Sequence, residues 1–383
     1  MQMRKKNKFL VFLLVVVLAI PLSLAWAREA TAATAPATPA KPSPTEAKPA
    51  PPVKAQTIKF SLAHIYTPKS WNETYAVPAL FRLVEKQTKG KYILDVAYYP
   101  SGTLLASPDI FGGVSKGIAD VGWANPGLNP GLFPVMTTLS QPGIAPAINA
   151  YANSLTWWEF YNKFKPKEFN DVKVLLWCGV GPGFIHSKKP IRSAEDIKGL
   201  KVRVIGPGVD AVKALGAEPV GLPSAEIYLA ASKGVIDAAI IPMGAVQTFK
   251  LDEVFTYSTC VPPLYNEGKY CVMNRDKWKA LPQDLQAAFD AVAEEGVHLV
   301  GRIWSHLDPD KTIAEYLPKT HQIIYLPETE TTKLRELMKP IRSKHVATLN
   351  EKGLPGEEMV TEAGKIVEKN NKKKYEPWKV PAK

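Results

Sequence analysis

Residues 201–242 read KVRVIGPGVDAVKALGAEPVGLPSAEIYLAASKGVIDAAIIP. The stretch opens on a β-branched run, 201–205, which the Gly206-Pro-Gly208 turn delivers into an apolar-periodic segment, 209–215, closed by Gly216. A second short strand (218–221), a second helix (224–233, ended by Gly234) and a third strand (238–241, ended by Pro242) follow. Strands alternating with short helices and punctuated by glycine are the pattern of βαβ units, which builds mainly parallel sheets. The fold class is therefore α/β.

The same alternation extends upstream. Residues 172–178 form an apolar strand, the loop Gly179-Val-Gly-Pro-Gly183 follows, and 184–187 give another strand before a capped helix at Ser193-Ala-Glu-Asp196. Farther back, 58–63, 92–98 and 121–123 are strand-like. Residues 76–88, with Val77, Leu80, Phe81 and Val84 on one face, and 109–116 are helical. Downstream the pattern lengthens into helices over 285–306, 331–349 and 356–370, the first with a broad apolar face. No repeat of 20–50 residues is present.

The ends of the chain have a different composition. Residues 1–8 carry Arg4, Lys5, Lys6 and Lys8 with no acid, and an apolar run from Phe9 to Ile20 leads to Pro21 and Ala25-Trp-Ala27. This is a secretory leader, 1–27, shorter in its apolar core than a spanning helix needs. An uncleaved anchor is the competing reading. Residues 28–56 are Ala/Pro-rich, an extended spacer unable to bury a core. The 34 prolines against 25 glycines in 383 residues reflect this segment. The formal charge of +12 falls to +8 once the four cations of the leader are removed, and much of the rest lies in the tail after Asn371. Elsewhere basic and acidic residues are mixed, which together with export argues against nucleic acid as a partner. Cys178, Cys260 and Cys271 have no metal-ligand spacing, and three buried thiols are favoured over a Cys260–Cys271 bridge.

Tests for catalysis are negative. Gly206-Pro-Gly208-Val-Asp-Ala211 has the G-x-G-x-x-A form of a dinucleotide turn, with Glu226 twenty positions on. Pro207 removes an amide donor, however, Glu226 falls within a helix, and the exported compartment is poor in nucleotide cofactor. The six histidines make no metal-binding spacing, and neither G-x-S-x-G nor a P-loop occurs. No enzyme activity and no cofactor are expected. Open α/β sheets bind small ligands in the loops at their strand ends. There the sequence places His64 and Trp71, Trp123 and Asn125, Gly183 and His186, Arg203, and the loop after Ile241 with Met243 and Phe249.

The runs KPIRSAEDIKGLKVRV (189–204) and VKALGAEPVGLPSAEIYLAASKGVIDAAIIP (212–242) resemble the substrate-binding proteins of TRAP transporters, the DctP-type periplasmic receptors. IKFSLAH (58–64), YYPSGTLLASPDIFGGVSKGIADVGW (98–123) and VMNRDKWKALPQDLQAAFDAV (272–292) extend the resemblance over nearly all of the chain after residue 57. It implies two lobes joined by crossing strands and a long connecting helix, a type II-like binding-protein fold. Residues 57–180 plus about 269–308 would form the first lobe. Residues 181–268 plus about 309–383 would form the second, with the C-terminal helices. The resemblance further implies a small carboxylate ligand bound between the lobes and handed to the membrane subunits of a permease, with the receptor periplasmic and taken as a monomer. Arg203 matches the arginine that pairs with the ligand carboxylate, a role suited to the planar guanidinium fork. A tethered sensor of the same fold and, more remotely, a secreted nucleotide-dependent oxidoreductase are the alternatives.

Two departures narrow the ligand. Sialic-acid and dicarboxylate binders commonly read VDGQENP, where this chain has Ile236-Asp-Ala-Ala-Ile-Ile-Pro242. A second arginine, often in GFR, is missing from the stretch 181–191, GPGFIHSKKPI. With one guanidinium and an amide lost, and Trp71, Trp123, Trp177 and Phe249 available, the expected ligand is a monocarboxylate with an apolar or aromatic body.

Overall fold

The computed structural model describes residues 55–129, 131–306 and 316–379. The leader, the spacer as far as residue 54 and the last four residues of the basic tail lie outside the described residues. Strands β1 (Gln56–His64), β2 (Tyr92–Pro100), β3 (Val121–Ala124) and β4 (Val172–Gly179) come first in the chain. They are followed by β5 (Gly183–Ser187), β6 (Lys201–Arg203), β7 (Glu218–Val220), β8 (Ala238–Pro242) and β9 (Tyr257–Cys260), and then by β10 (Gly268–Asn274) and β11 (Gln322–Tyr325). Helices α1 (Ala79–Gln87), α2 (Ile110–Ser115) and α3 (Ala150–Phe164) belong to the first part. Helices α4 (Gly208–Ala214), α5 (Ile227–Ser232) and α6 (Gly244–Phe249) belong to the second. Helices α7 (Arg275–Ala280), α8 (Gln283–Ser305), α9 (Glu328–Glu351) and α10 (Gly356–Asn371) close the chain.

These strands form two sheets, ordered β2-β1-β3-β10-β4 and β11-β9-β5-β8-β6-β7. In the first, β1 runs parallel to β2 and β3, while β10 lies antiparallel between β3 and β4. In the second, β6 is parallel to β7 and β8, and β5 is antiparallel to β8 and β9. The chain passes between sheets twice over short distances, from β4 to β5 and from β9 to β10. Both passages are pinned by backbone bonds, Val180 N–H to the Glu267 carbonyl (3.0 Å) and Val261 N–H to the Gly183 carbonyl (2.9 Å). The side chain of Asn153 on α3 donates to the carbonyls of Val180 (2.7 Å) and Glu267 (3.3 Å), tying both crossings to the first lobe.

The expected elements over 172–242 are all present, several of them shortened: the strand at 201–205 is Lys201–Arg203, and the helix at 224–233 is a 3₁₀ turn leading into Ile227–Ser232. The helix expected at Ser193 is a single 3₁₀ turn, Glu195–Ile197. Its Asp196 carboxylate turns back to accept the N–H groups of Arg192 and Ser193 (2.9 Å each), and Gly199 at φ +73° ends the turn. Strands β9 and β11 and helix α3 were not anticipated. Asn149 caps α3, accepting Ala152 N–H at 2.7 Å, and left-handed Lys165 before Pro166 ends it. Its sequence, AYANSLTWWEFYNKF, is apolar on several faces, so it lacks the one-sided stripe that marks a surface helix. Helix α10 packs against α3 on the first lobe, although the sequence assigns residues 309–383 with the second. The three cysteines are free thiols, and Cys260 and Cys271 stand on strands of different sheets. Among the described residues no helix is long and apolar enough to cross a membrane.

The first-lobe core centres on Trp157 of α3, stacked on Trp177 of β4 with ring centres 5.0 Å apart. Gly268 opens β10 directly beneath Trp157, where an added Cβ would meet the indole at 2.2 Å. Overpacking of this kind costs about 1–3 kcal/mol, so Gly268→Ala should lower the denaturation midpoint measured by circular dichroism.

Three histidines are buried in the fold. His64 ends β1, and His345 of α9 meets the Thr138 hydroxyl at 2.9 Å. His186 of β5 donates Nε2–H to the Ile241 carbonyl (3.1 Å), and its Nδ1 meets Ser258 Oγ at 2.7 Å. His321 Nε2 reaches the same hydroxyl at 2.7 Å, completing a relay across the sheet. Burial lowers the pKa of His64 and His345 to about 4 and that of His186 to about 3. These imidazoles stay neutral in the folded protein while those of the unfolded chain take up protons below about 6.5. Stability contributed by the three is therefore lost as pH falls from about 6.5 toward 4. Glu168, raised to about 7 by burial, acts in the opposite sense between about 4.5 and 7, one group against three. The thermal midpoint should fall on acidification from pH 6.5 to 4, and His186→Gln should flatten that slope.

Candidate functional site

A cleft of about 560 Å³, counted out to its mouth, lies between the two lobes. One wall comes from the first lobe and the crossings: Ile65, Tyr66, Asn72, Val180, Gly181, Glu267, Lys269 and Trp304. The other comes from the second lobe: Ser224, Ile241, Pro242, Gly244, Ala245, Thr248 and Phe249. Most of this lining is aliphatic or aromatic, so the chemistry is concentrated in a few polar groups.

The lobes touch on both flanks of the cleft. On one flank the indole N–H of Trp304, near the C-terminus of α8, donates to Asn72 Oδ1 at 2.8 Å. Asn72 Nδ2 in turn donates to the Thr248 hydroxyl of α6 at 3.2 Å, and the Thr67 hydroxyl donates to the Thr248 carbonyl at 3.1 Å. Asn72 opens a π-helical turn, Asn72–Ala76, a distortion often found at functional positions. On the other flank Gly206, at φ +57°, lies so close to Gly127 that an added Cβ would stand 3.0 Å from the Gly127 Cα. The glycines of 206–208 thus serve close packing: a Cβ on Gly208 would meet Val204 at 2.5 Å.

Behind Ser224 of the lining lies Arg203, 1% exposed at the end of β6 and not itself part of the cleft wall. Its Nε donates to the Leu222 carbonyl (3.0 Å) and one terminal nitrogen donates to Ser224 Oγ (3.2 Å). The Asp196 carboxylate is occupied by its own turn and makes no hydrogen bond to Arg203. Beside Arg203, the Glu267 carboxylate accepts from Lys269 Nζ (2.8 Å), the Tyr265 hydroxyl (2.5 Å) and Asn125 Nδ2. Burial pushes the Glu267 carboxyl up, but Lys269 foremost, with Tyr265 and Asn125, holds it below its usual range. Burial lowers Lys269 and Arg203, opposed in both by the charge of Glu267. The Tyr66 hydroxyl and the Trp123 indole nitrogen are buried without a hydrogen-bond partner among the described residues.

The structure brings together some of the residues singled out from sequence. Ile241 and Phe249 line the cleft, Arg203 lies beneath Ser224, and Asn125 supports Glu267. Gly183 sits against Tyr265, where a Cβ would fall 2.3 Å from the tyrosine Cβ. The remaining residues stand off the lining. Trp123 is fully buried on β3, and Met243 is buried in the second-lobe core. His186 bonds Ser258 and the Ile241 carbonyl. His64 accepts Tyr66 N–H at 3.3 Å through Nδ1, and its Nε2 faces Glu73 Oε1 at 3.4 Å. The approach to Glu73 is not a hydrogen bond: His64 Nε2 has no hydrogen-bond partner among the described residues. Trp71 stacks on His306 (5.2 Å) and meets Trp378 of the tail, and Trp177 is core. Sequence reading missed Tyr66, Asn72, Ser224, Thr248, Glu267, Lys269 and Trp304. The pair Glu267/Lys269 did leave a signal: two charges at i and i+2 flanking an otherwise apolar strand. Among the described residues no cluster of His, Cys, Asp and Glu could hold a metal ion.

Comparison with known proteins agrees with this architecture. A model of the family "Bacterial extracellular solute-binding protein, family 7" (DctP) matches residues 62–349. The 2,3-diketo-L-gulonate-binding periplasmic protein YiaO of Escherichia coli is 27% identical over 245 residues, 63% of this chain and 73% of YiaO. An uncharacterized Haemophilus influenzae protein is 31% identical over 60% of this chain and 70% of its own length. Among solved structures, a TRAP solute binding protein from Rhodoferax ferrireducens, in complex with copurified benzoate, is similar at 27% identity and TM-score 0.75. It covers 82% of this chain and 99% of its own. A marine metagenome TRAP protein specific for aromatic acid ligands, in complex with metahydroxyphenylacetate, has 25% identity and TM-score 0.76 over 82% and 100% of the two chains. The family and the solved neighbours are solute-binding receptors rather than enzymes, and the chain belongs to family 7 of the bacterial extracellular solute-binding proteins, the DctP-type receptors of TRAP transport.

Proposed function

We propose that this receptor takes up a monocarboxylic acid with an apolar or aromatic body and hands it to the membrane subunits of a TRAP permease in the periplasm. The observation that carries the reading is a buried guanidinium held against Ser224, a residue lining a predominantly apolar cleft. Arg203 is held at Nε and at one terminal nitrogen by Leu222 and Ser224, so the fork is oriented before ligand arrives. Its other terminal nitrogen makes no hydrogen bond among the described residues and is available to an anion. An arginine so preorganised favours a planar carboxylate, and exclusion of water strengthens the pair. Above it, Ile65, Ile241, Ala245, Phe249 and Trp304 offer surface to a ring or chain but few hydrogen-bond partners for a polyhydroxylated body. The relatives in complex with benzoate and with metahydroxyphenylacetate fit the same reading.

Binding acts on the equilibrium between open and closed lobes. A ligand that touches both walls stabilises the closed form by its differential affinity alone. Thr248, shared by Asn72 and Thr67, and the Gly127–Gly206 contact are the places where the closed lobes meet. The permease would then read the closed surface.

A thermal-shift screen should show stabilisation by benzoate and 3-hydroxybenzoate and none by sugar acids; stabilisation by sugar acids alone contradicts the proposal. Arg203→Ala should weaken carboxylate binding by more than about 1 kcal/mol. Arg203→Lys should also lose at least roughly tenfold, about 1.4 kcal/mol, because a point ammonium lacks the fork. Unchanged affinity in either variant refutes the assignment. Gly206→Ala should weaken benzoate binding by roughly tenfold, since its Cβ meets Gly127 when the lobes approach, and should also lower stability modestly, because alanine is strained at φ +57°.

A further inference from the structure

Among the described residues, only Arg203, Glu267 and Lys269 are fully charged side chains buried below one-tenth exposure, at 1%, 7% and 6%. Glu267 and Lys269 line the cleft, and Arg203 lies behind Ser224 of the lining, within the electrostatic influence of both. Two are cations and one is an anion, so this dry neighbourhood carries one uncompensated positive charge. An isolated buried charge is costly, and the natural neutralising partner is a single carboxylate brought by the ligand. We propose that Glu267 is the specificity residue that limits this cleft to singly charged acids, by cancelling Lys269 and leaving Arg203 alone to be neutralised. This goes beyond the aromatic-acid reading, on which it rests, because it names the group that rejects a second carboxylate.

The geometry suits a charge-setting role. Glu267 lies on the β9-to-β10 crossing, and its carboxylate is fixed by Lys269, Tyr265 and Asn125. It therefore cannot swing away when a dianion enters. Both Glu267 and Lys269 line the cleft, so their charges act directly on whatever occupies it. A second ligand carboxylate would face an ionised, immobile Glu267 in a site of low polarity, where like charges repel strongly. Gln in place of Glu267 keeps the shape, turns one acceptor oxygen into an amide donor that Asn125 can meet by presenting its unpartnered Oδ1, and leaves two positive charges where there was one net.

Calorimetric titration of the whole chain with benzoate as probe tests this in wild type, Glu267→Gln, Lys269→Gln and the double variant, with folding followed by circular dichroism. Glu267→Gln should bind benzoate at least as tightly as wild type, and Lys269→Gln at least tenfold more weakly. The double variant, which restores the single positive charge, should recover at least fivefold of that loss. In Glu267→Gln, dianionic isophthalate should gain at least tenfold relative to 3-carbamoylbenzoate, its monoanionic isostere. A folded Glu267→Gln that loses benzoate tenfold, or a double variant no better than Lys269→Gln, overturns the proposal. Should Glu267→Gln alone fail to fold, the double variant against Lys269→Gln decides on the same criterion. Wild type that binds none of the three acids brings down the aromatic-acid reading itself, and this proposal with it; binding in wild type without the charge order brings down this proposal only.

Discussion

The structure depends on a buried ion pair set into the place where the chain crosses between lobes. Glu267 and Lys269 straddle the start of β10, and desolvating each ion costs several kcal/mol before their contact returns anything. Such a pair persists because both carboxylate oxygens are engaged: ammonium and phenol on one, amide on the other. The same residues present their backbone to β4 and to Asn153. Electrostatics of the site and mechanics of the crossing are thus one construction. Moving the lobes without breaking it requires the bend to occur around these residues.

Lobe contact follows from that anchor. With the crossings fixed, Thr248 on α6 approaches Asn72 and Thr67, and Gly206 approaches Gly127. Asn72 is the centre of the first contact, since it accepts from Trp304 and donates to Thr248. Helix α8 therefore reports to the second lobe through one amide. The glycine contact works by absence of a side chain: only a residue without Cβ lets the two backbones come this near, and only glycine holds φ +57° without strain.

Aromatic residues divide differently from what their positions in sequence suggest. Trp123 and Trp177 fill the first-lobe core beneath the cleft, with their large apolar rings used for packing. Trp71 belongs to a cluster with Tyr75, His306 and Trp378, adjacent to the cleft through its neighbour Asn72. The aromatic surface that does face the cleft comes from Tyr66, Phe249 and Trp304. A strand-end position in sequence places a residue near the opening of a sheet, but rotation about the strand decides whether it faces ligand or core.

The sequence by itself determined the α/β class, the succession of strands and helices over 172–242, and Arg203 at the end of its strand, because periodicity, glycine stops and the family resemblance are local properties. It also contained the glycines at 206 and 208, and Pro207 and Glu226 already argued against a nucleotide turn there, but the close packing those glycines serve was not legible. Helix α3 was not legible, since burial on several faces removes the periodic stripe by which a helix is recognised. Nor was the Glu267–Lys269–Asn125–Tyr265 cluster, which joins residues up to 144 positions apart in the chain. Only the tertiary structure decided that β10 returns to the middle of the first sheet, bringing those charges beneath Arg203. Whether a charge is solvated or buried against another is fixed by what packs over it, and that is not a property of its own segment.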